Sequence, residues 1–210
     1  MSENIKTPVT IYAEMTPNPA TMKFICTKHL LVNGENLMFE NMEEAKGYSP
    51  LAEALFQFPF VSGVFIAANF VTVTKTDNVD WDFIVMELRE FIREWIFNGK
   101  GIITMMPPAK DTSDSENNVN EQGTVIERKS FNKSEYDQQI IDLLNEYVRP
   151  AVENDGGAID YIGFENGVVT VELKGSCSGC PSSTQTLKGG IEGLLTQNMK
   201  GIVTEVVALS

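Results

Sequence analysis

Two sets of apolar blocks, separated by a polar stretch, organise this chain. In the first set residues 10–14 read as a strand and Thr16-Pro17-Asn18-Pro19 as a turn; Met22, Phe24 and Cys26 then alternate with Lys23, Ile25 and Thr27, as in a half-buried strand. Ser49-Pro50 joins a helix cap to proline at the first helical position, after which Leu51, Ala54, Leu55 and Phe58 share one helical face. Residues 61–67 and 70–75 predict a hairpin about Ala68-Asn69. Trp81, Ile84, Val85, Leu88, Phe91, Ile92 and Trp95 recur at helical spacing and predict a helix over 80–97, ended by Asn98-Gly99. These residues are read as structural, with no catalytic constellation among them.

The second set opens with Ser134 as a cap. Ile140, Ile141, Leu144, Tyr147 and Val148 then line one face of a short helix that Pro150 is expected to stop. Asp155-Gly156-Gly157 is a turn signal, and residues 158–164 and 168–173 flank Asn166-Gly167, a pair favoured in tight hairpins. A cysteine-bearing loop follows. Pro181 suits the first turn of another helix whose apolar face is Leu187, Ile191, Leu194 and Leu195, and residues 202–209 make a final strand. Between the sets lies DTSDSENNVNEQGT, residues 111–124, with four acids, no Lys or Arg, and Val119 as its only large apolar residue. Such a segment buries too little surface to offset the entropy of ordering it. The expected architecture is therefore α+β in two small domains, each a mixed sheet packed on helices, at 1–107 and 129–210, joined by a flexible acidic linker at 108–128.

Composition narrows the function classes. The 210 residues are 42% hydrophobic, enough for a core, and no apolar run reaches the roughly 18 residues that suggest a membrane span. Sixteen Lys and Arg against twenty-nine acids leave a net charge of −13, which repels phosphate backbones and anionic lipid surfaces. Neither nucleic acid nor membrane is an expected partner. The opening MSENIKTPVTIYAEM has neither a secretory apolar core nor an Arg-rich, acid-poor composition, so a cytoplasmic setting is expected. Three cysteines, Cys26, Cys177 and Cys180, are too few for a disulfide framework and stay free in a reducing compartment.

The candidate chemistry lies in GSCSGCPSST, residues 175–184. Ser178 and Gly179 are small enough to let Cys177 and Cys180 turn their sulfurs the same way, and Cys180 stands at an expected helix start, where free N–H groups favour a thiolate. A lone C-x-x-C leaves four readings: cluster binding, structural zinc, dithiol redox chemistry, or incidental buried thiols. Zinc needs two further ligands. Within the chain only Cys26 and His29 offer themselves, but Cys26 alternates with core residues and His29 falls on the opposite face of a continuing strand. A redox dithiol is expected in a βαβ setting, whereas a hairpin precedes this loop. Iron–sulfur clusters take four thiolates. One copy supplies two, so a twofold pair would supply all four and hold the cluster between subunits, an arrangement suited to transfer. Lys174 and Lys188 flank the loop and are read as solvated cations, with charge balance for a cluster as the alternative.

Residues 155–195, DGGAIDYIGFENGVVTVELKGSCSGCPSSTQTLKGGIEGLL, resemble the C-terminal domain of NifU and the Nfu-type iron–sulfur proteins. The resemblance covers nearly all of 134–209: the Asp-Gly-Gly turn, the G-x-C-x-G-C-P-S-S loop and the T-L-K-x-G-I-E helix occur in order. It implies a non-enzymatic carrier in which Cys177 and Cys180 of two subunits bridge a cluster, usually 4Fe-4S with 2Fe-2S as the other form. The homodimer would receive the cluster from an upstream scaffold and pass it to apo-proteins. TPNPATMKF, SPLAEALF and FVTVTK, beginning at Thr16, Ser49 and Phe70, resemble the N-terminal domain of mitochondrial and some bacterial Nfu proteins. A cysteine-bearing U-type scaffold domain is not found in the sequence, so primary cluster synthesis is not expected. Because mitochondrial members carry a targeting segment, the resemblance is taken to imply a bacterial, cytoplasmic carrier.

Overall fold

The alternation in the first set of blocks becomes a five-stranded sheet. The computed structural model describes residues 8–31, 35–107, 131–178 and 181–209; the segment expected as a linker at 108–128 lies outside the described residues. Strands β1 (Ile11–Met15), β2 (Thr21–Cys26), β3 (Asn36–Phe39), β4 (Val61–Ala67) and β5 (Phe70–Lys75) stand in the order β1-β2-β5-β4-β3, each pairing antiparallel. Helices α1 (Met42–Ala45) and α2 (Pro50–Leu55) follow β3, and α3 (Trp81–Phe97) follows β5.

One face of this sheet is the core face. Met22, Phe24 and Cys26 of β2 and Val71 and Val73 of β5 pack with Leu51 and Leu55 of α2 and with Ile84, Leu88, Ile92 and Ile96 of α3. Each fully buried side chain of this kind contributes about 1.5–3 kcal/mol. Phe91 of α3 meets Phe58 edge-on with ring centroids 5.1 Å apart. Ser49 caps α2 as its position before Pro50 requires: its hydroxyl accepts from the Ala52 N–H at 3.1 Å and donates to the Ile102 carbonyl at 2.7 Å. The strand β3 and the short α1 have no counterpart in the sequence-based expectation.

The second unit begins with α4 (Asp137–Leu143), passes through a π-helical turn, Leu144–Val148, and continues as α5 (Arg149–Asn154). Pro150 therefore does not stop the helix. It occupies the first turn of α5, where its missing N–H costs no intrahelical bond because the π turn has already broken the ladder. The inserted residue keeps Ile140, Leu144, Val148 and Val152 on the buried side and leaves Tyr147 exposed, in contrast to its expected place on the apolar face.

Strands β6 (Gly157–Glu165) and β7 (Val168–Gly175) form the expected hairpin, with Asn166 at φ 53° and Gly167 at φ 84°, the left-handed pair a tight two-residue turn needs. The helix α6 (Pro181–Asn198) then crosses back, and β8 (Glu205–Leu209) pairs parallel with β7. Ile159, Val171, Leu173, Ile191 and Leu195 close a second core. The architecture is α+β in two domains, each with its own sheet and helices.

Candidate functional site

The strand β7 ends at Gly175, and the chain turns through Ser176, Cys177 and Ser178 before α6 begins. Gly175 has φ 68°, and an added Cβ would lie 2.7 Å from the Gly156 carbonyl oxygen and 2.8 Å from Phe65. The loop therefore leaves the sheet in a conformation, and through a gap, that suit glycine. The Ser176 hydroxyl donates to the Asp155 carbonyl, the Ser178 hydroxyl donates to the Gly175 carbonyl at 2.8 Å, and Thr184 in the first turn of α6 donates to the Cys177 carbonyl at 3.1 Å. These bonds pin the backbone on both sides of the first thiol.

Cys177 is buried at 7% exposure, at the edge of the second core and directly over Gly157, where an added Cβ would stand 2.8 Å from the sulfur. Burial pushes its thiol pKa up; a contact with the Ser176 hydroxyl pulls the other way, and the Asp155 charge adds to the rise. In this conformation burial holds Cys177 as a neutral thiol, whereas the thiolate expected from the sequence is that of Cys180 at the helix start. Gly179 and Cys180 lie outside the described residues.

The alternative ligands are elsewhere. Cys26 is 1% exposed within the first core, its sulfur accepting from the Lys28 N–H, and burial raises its pKa as well. Cys26 and Cys177 thus belong to different cores, and His29 is exposed. Among the described residues no three His, Cys, Asp or Glu side chains gather where they could hold a metal. Lys174 is committed to Asp160 at 2.7 Å and Glu172 at 3.2 Å. Burial pulls its pKa down, but the hydrogen bond and charge of Asp160, followed by those of Glu172, outweigh it and hold the ammonium above its usual value. It is an ion-pair residue of the β6–β7 face rather than a solvated cation.

Three residues of the first domain reach the loop region and were read in the sequence only as turn or strand positions. Asn18 donates to the Ser176 carbonyl at 3.3 Å, Thr72 donates to the Gly156 carbonyl at 2.7 Å, and the Lys23 ammonium donates to the carbonyls of Glu153 and Asn154 at 2.9 and 3.1 Å. Asn18 lies inside TPNPATMKF, so the signal was present, but nothing in the sequence said what the turn would touch.

Fold and loop together define a two-domain protein that offers a cysteine-bearing loop between a strand and a helix, without a complete metal site among its described residues. Residues 11–99 match the model of the scaffold protein Nfu/NifU N-terminal family and residues 140–207 that of the NifU-like domain. The chain belongs to the Nfu/NifU-like family of iron–sulfur cluster scaffold proteins. It is 37% identical to NifU-like protein 4, mitochondrial, of Arabidopsis thaliana over 93% of its own length and 65% of the relative's. It is 35% identical to the NFU1 iron-sulfur cluster scaffold homolog, mitochondrial, of Drosophila sechellia over 88% of its length and 60% of the relative's. The chain thus spans less than two thirds of the length of these curated relatives. The solution structure of a NifU-like protein from Saccharomyces cerevisiae covers 50% of this chain and 93% of its own at 24% identity and a TM-score of 0.44. These relatives are named as scaffold proteins or NifU-like proteins, not as enzymes.

The expectation of a cytoplasmic setting is corrected by the same comparison, because the curated relatives are named mitochondrial. It had rested on the composition of the first fifteen residues, whereas the relatives are longer than the stretch this chain spans.

Proposed function

We propose that the chain carries an iron–sulfur cluster between two copies of itself, held by Cys177 and Cys180 of each, and delivers it to apo-proteins. The observation that carries this reading is the half-site. The loop bears two thiols, and the other described cysteine, Cys26, is sealed in a separate core, so four thiolate ligands are reached by pairing two loops. The donor set fits the cargo: two cysteines three positions apart, on a loop of small residues, with no group of three or more His, Cys, Asp or Glu side chains among the described residues to offer a rival metal site.

A 4Fe-4S cluster is the cargo this reading favours, with 2Fe-2S as the alternative. Delivery proceeds by ligand exchange. A client cysteine loses its proton, its thiolate forms a bond to iron as Cys177 or Cys180 releases one, and the released sulfur takes up a proton, with no net oxidation or reduction. Repeating the exchange moves the cargo and returns the metal-free carrier. The upstream partner is a scaffold that makes the reverse exchange, and the first domain serves to place the loop and its partners.

Anaerobic reconstitution with ferrous iron and sulfide, read by visible and Mössbauer spectra and by native mass, tests the proposal. The expected product is a brown dimer with one cluster, lost in both Cys177→Ala and Cys180→Ala. A colourless monomer binding a single zinc ion would overturn it.

A further inference from the structure

The first sheet has a second face, turned away from α2 and α3, and the second domain covers it at one place. Lys23 of β2 and Thr72 of β5 point to this side, since their neighbours Met22, Phe24, Val71 and Val73 point into the first core. Lys23 and Thr72 are nonetheless buried, as is Asn18 in the turn before β2. All three donate to backbone carbonyls of the second domain, and these lie on only two segments. One is residues 153–156, the end of α5 and the turn before β6. The other is the cysteine loop, where Asn18 donates to the Ser176 carbonyl at 3.3 Å and stands 3.5 Å from the Ser178 carbonyl. Asn18 is aimed by its own side-chain oxygen, which accepts from the Ala20 N–H at 3.0 Å.

An apolar patch completes the contact. Phe65, Ala67 and Phe70 on the same sheet face form a buried cluster with Ala158 of β6, flanked by Ile25 and Met38, and Phe65 closes over Gly175. Lys23 lies 4.7 Å over the Phe70 ring. Three directed hydrogen-bonding side chains and an aromatic pair therefore converge on the segments before and after Cys177.

We infer that the outer face of the first sheet is a cap for the thiol loop. It binds the metal-free loop of its own chain through Asn18, Lys23, Thr72, Phe65 and Phe70, and it must release that loop before a second copy's loop can meet it around a cluster. The release step rests on the bridged-cluster reading; the cap itself does not. Two loops sharing a cluster must approach to within metal–thiolate distances of the same few atoms. With Cys177 only 7% exposed, the Ser176 and Ser178 carbonyls held by Asn18, and Gly175 under Phe65, the loop in this arrangement does not present its sulfur to a second copy. The capped state and the bridged state exclude one another, and loading the cargo uncovers Lys23 and the aromatic patch.

Thr72→Arg tests the cap in the full chain, because an arginine fits a free sheet face but not one pressed on Gly156. In metal-free protein the alkylation rate of Cys177 by iodoacetamide, resolved from Cys180 by tandem mass spectrometry, is expected to rise at least tenfold in this variant. Asn18→Ala and Lys23→Ala, which only delete donors, should raise it severalfold and keep the test decisive if Thr72→Arg does not fold. In the wild type, acetylation of Lys23 by an N-hydroxysuccinimide ester should be slow without cluster and faster by a similar factor after reconstitution. Unchanged Cys177 alkylation in all folded variants would overturn the cap while leaving cluster binding intact. A failed reconstitution with accelerated alkylation would sink the carrier reading and leave the cap standing.

Discussion

Replacing Gly157 by alanine probes the packing beneath the thiol loop. A Cβ built on Gly157 would lie 2.5 Å from the Lys174 carbonyl oxygen and 2.8 Å from the Cys177 sulfur, where carbon normally keeps at least 3.4 Å from its neighbours. The first obstacle is backbone of the paired strand, since Ala158 and Lys174 are register partners in the β6–β7 ladder, so it cannot swing aside as a long side chain would. Overpacking of this kind costs about 1–3 kcal/mol, and the immobile obstacle places Gly157→Ala near the top of that range. For a small domain about 3 kcal/mol corresponds to a fall of roughly 12–24 °C in Tm. Gly193→Ala is the control: it lies in α6 with no heavy atom within 4 Å of an added Cβ, and alanine there should stabilise by about 0.5–1 kcal/mol. Thermal unfolding followed by circular dichroism measures both. Should Gly157→Ala melt within two or three degrees of the wild type, Gly157 would not be the close-packed floor of the loop, and the account of why Cys177 sits where it does would fail.

The other variants separate structural from ligand roles. Cys26→Ala should lose about 1 kcal/mol in urea unfolding, because Cys26 is buried in the first core, and should still bind a cluster; loss of the cluster in this variant alone would refute the ligand assignment. Ser49→Ala removes both the cap of α2 and the bond to the Ile102 carbonyl and should lower the urea midpoint by an amount worth about 1–2 kcal/mol, without effect on reconstitution. Because the folded pKa of Lys174 is raised, its ion pairs contribute stability that is fully present below the unfolded value of 10.5 and is lost as pH rises through the folded one. Wild-type stability should therefore fall more steeply above that pH than stability of Lys174→Met, and parallel curves in alkaline unfolding would contradict the pairing.

How far the sequence carries depends on the range of the interaction that decides each element. The helix α3 and the hairpins β4–β5 and β6–β7 rest on local periodicity and turn chemistry, and their observed ends fall within a residue or two of the expected ones. The strand β3 is only four residues long, Asn36–Phe39, and is a strand because β4 offers its edge, a nonlocal cause. The π turn at Leu144–Val148 likewise answers to the core: it keeps Leu144 and Val148 inward at the cost of one irregular turn, and that irregularity makes Pro150 harmless. The parallel pairing of β8 with β7 is set by α6 crossing the sheet, and no residue of β8 announces it.

The thiol loop divides in the same way. The proposal that Cys177 and Cys180 form half of a site rests on their number and spacing, because ligand count is a property of composition. That Cys177 is buried and bracketed by Asn18 and Phe65 was not legible, because Lys23 and Thr72 occupy the outward positions of half-buried strands, where polar residues need no special explanation. Only a covering partner makes those positions unusual. A polar residue on the outer face of a strand carries no sign of whether water or a carbonyl will satisfy it, so an interface built from side chains donating to backbone leaves almost no trace in sequence pattern. The acceptors at Gly156, Ser176 and Ser178 are backbone carbonyls, which every residue possesses. Substitution at the acceptors Glu153 and Asn154 should therefore be tolerated wherever the backbone path is kept, whereas Gly156, with φ 82° and Thr72 3.0 Å from an added Cβ, and the donors Asn18, Lys23 and Thr72 are where the contact is vulnerable to mutation.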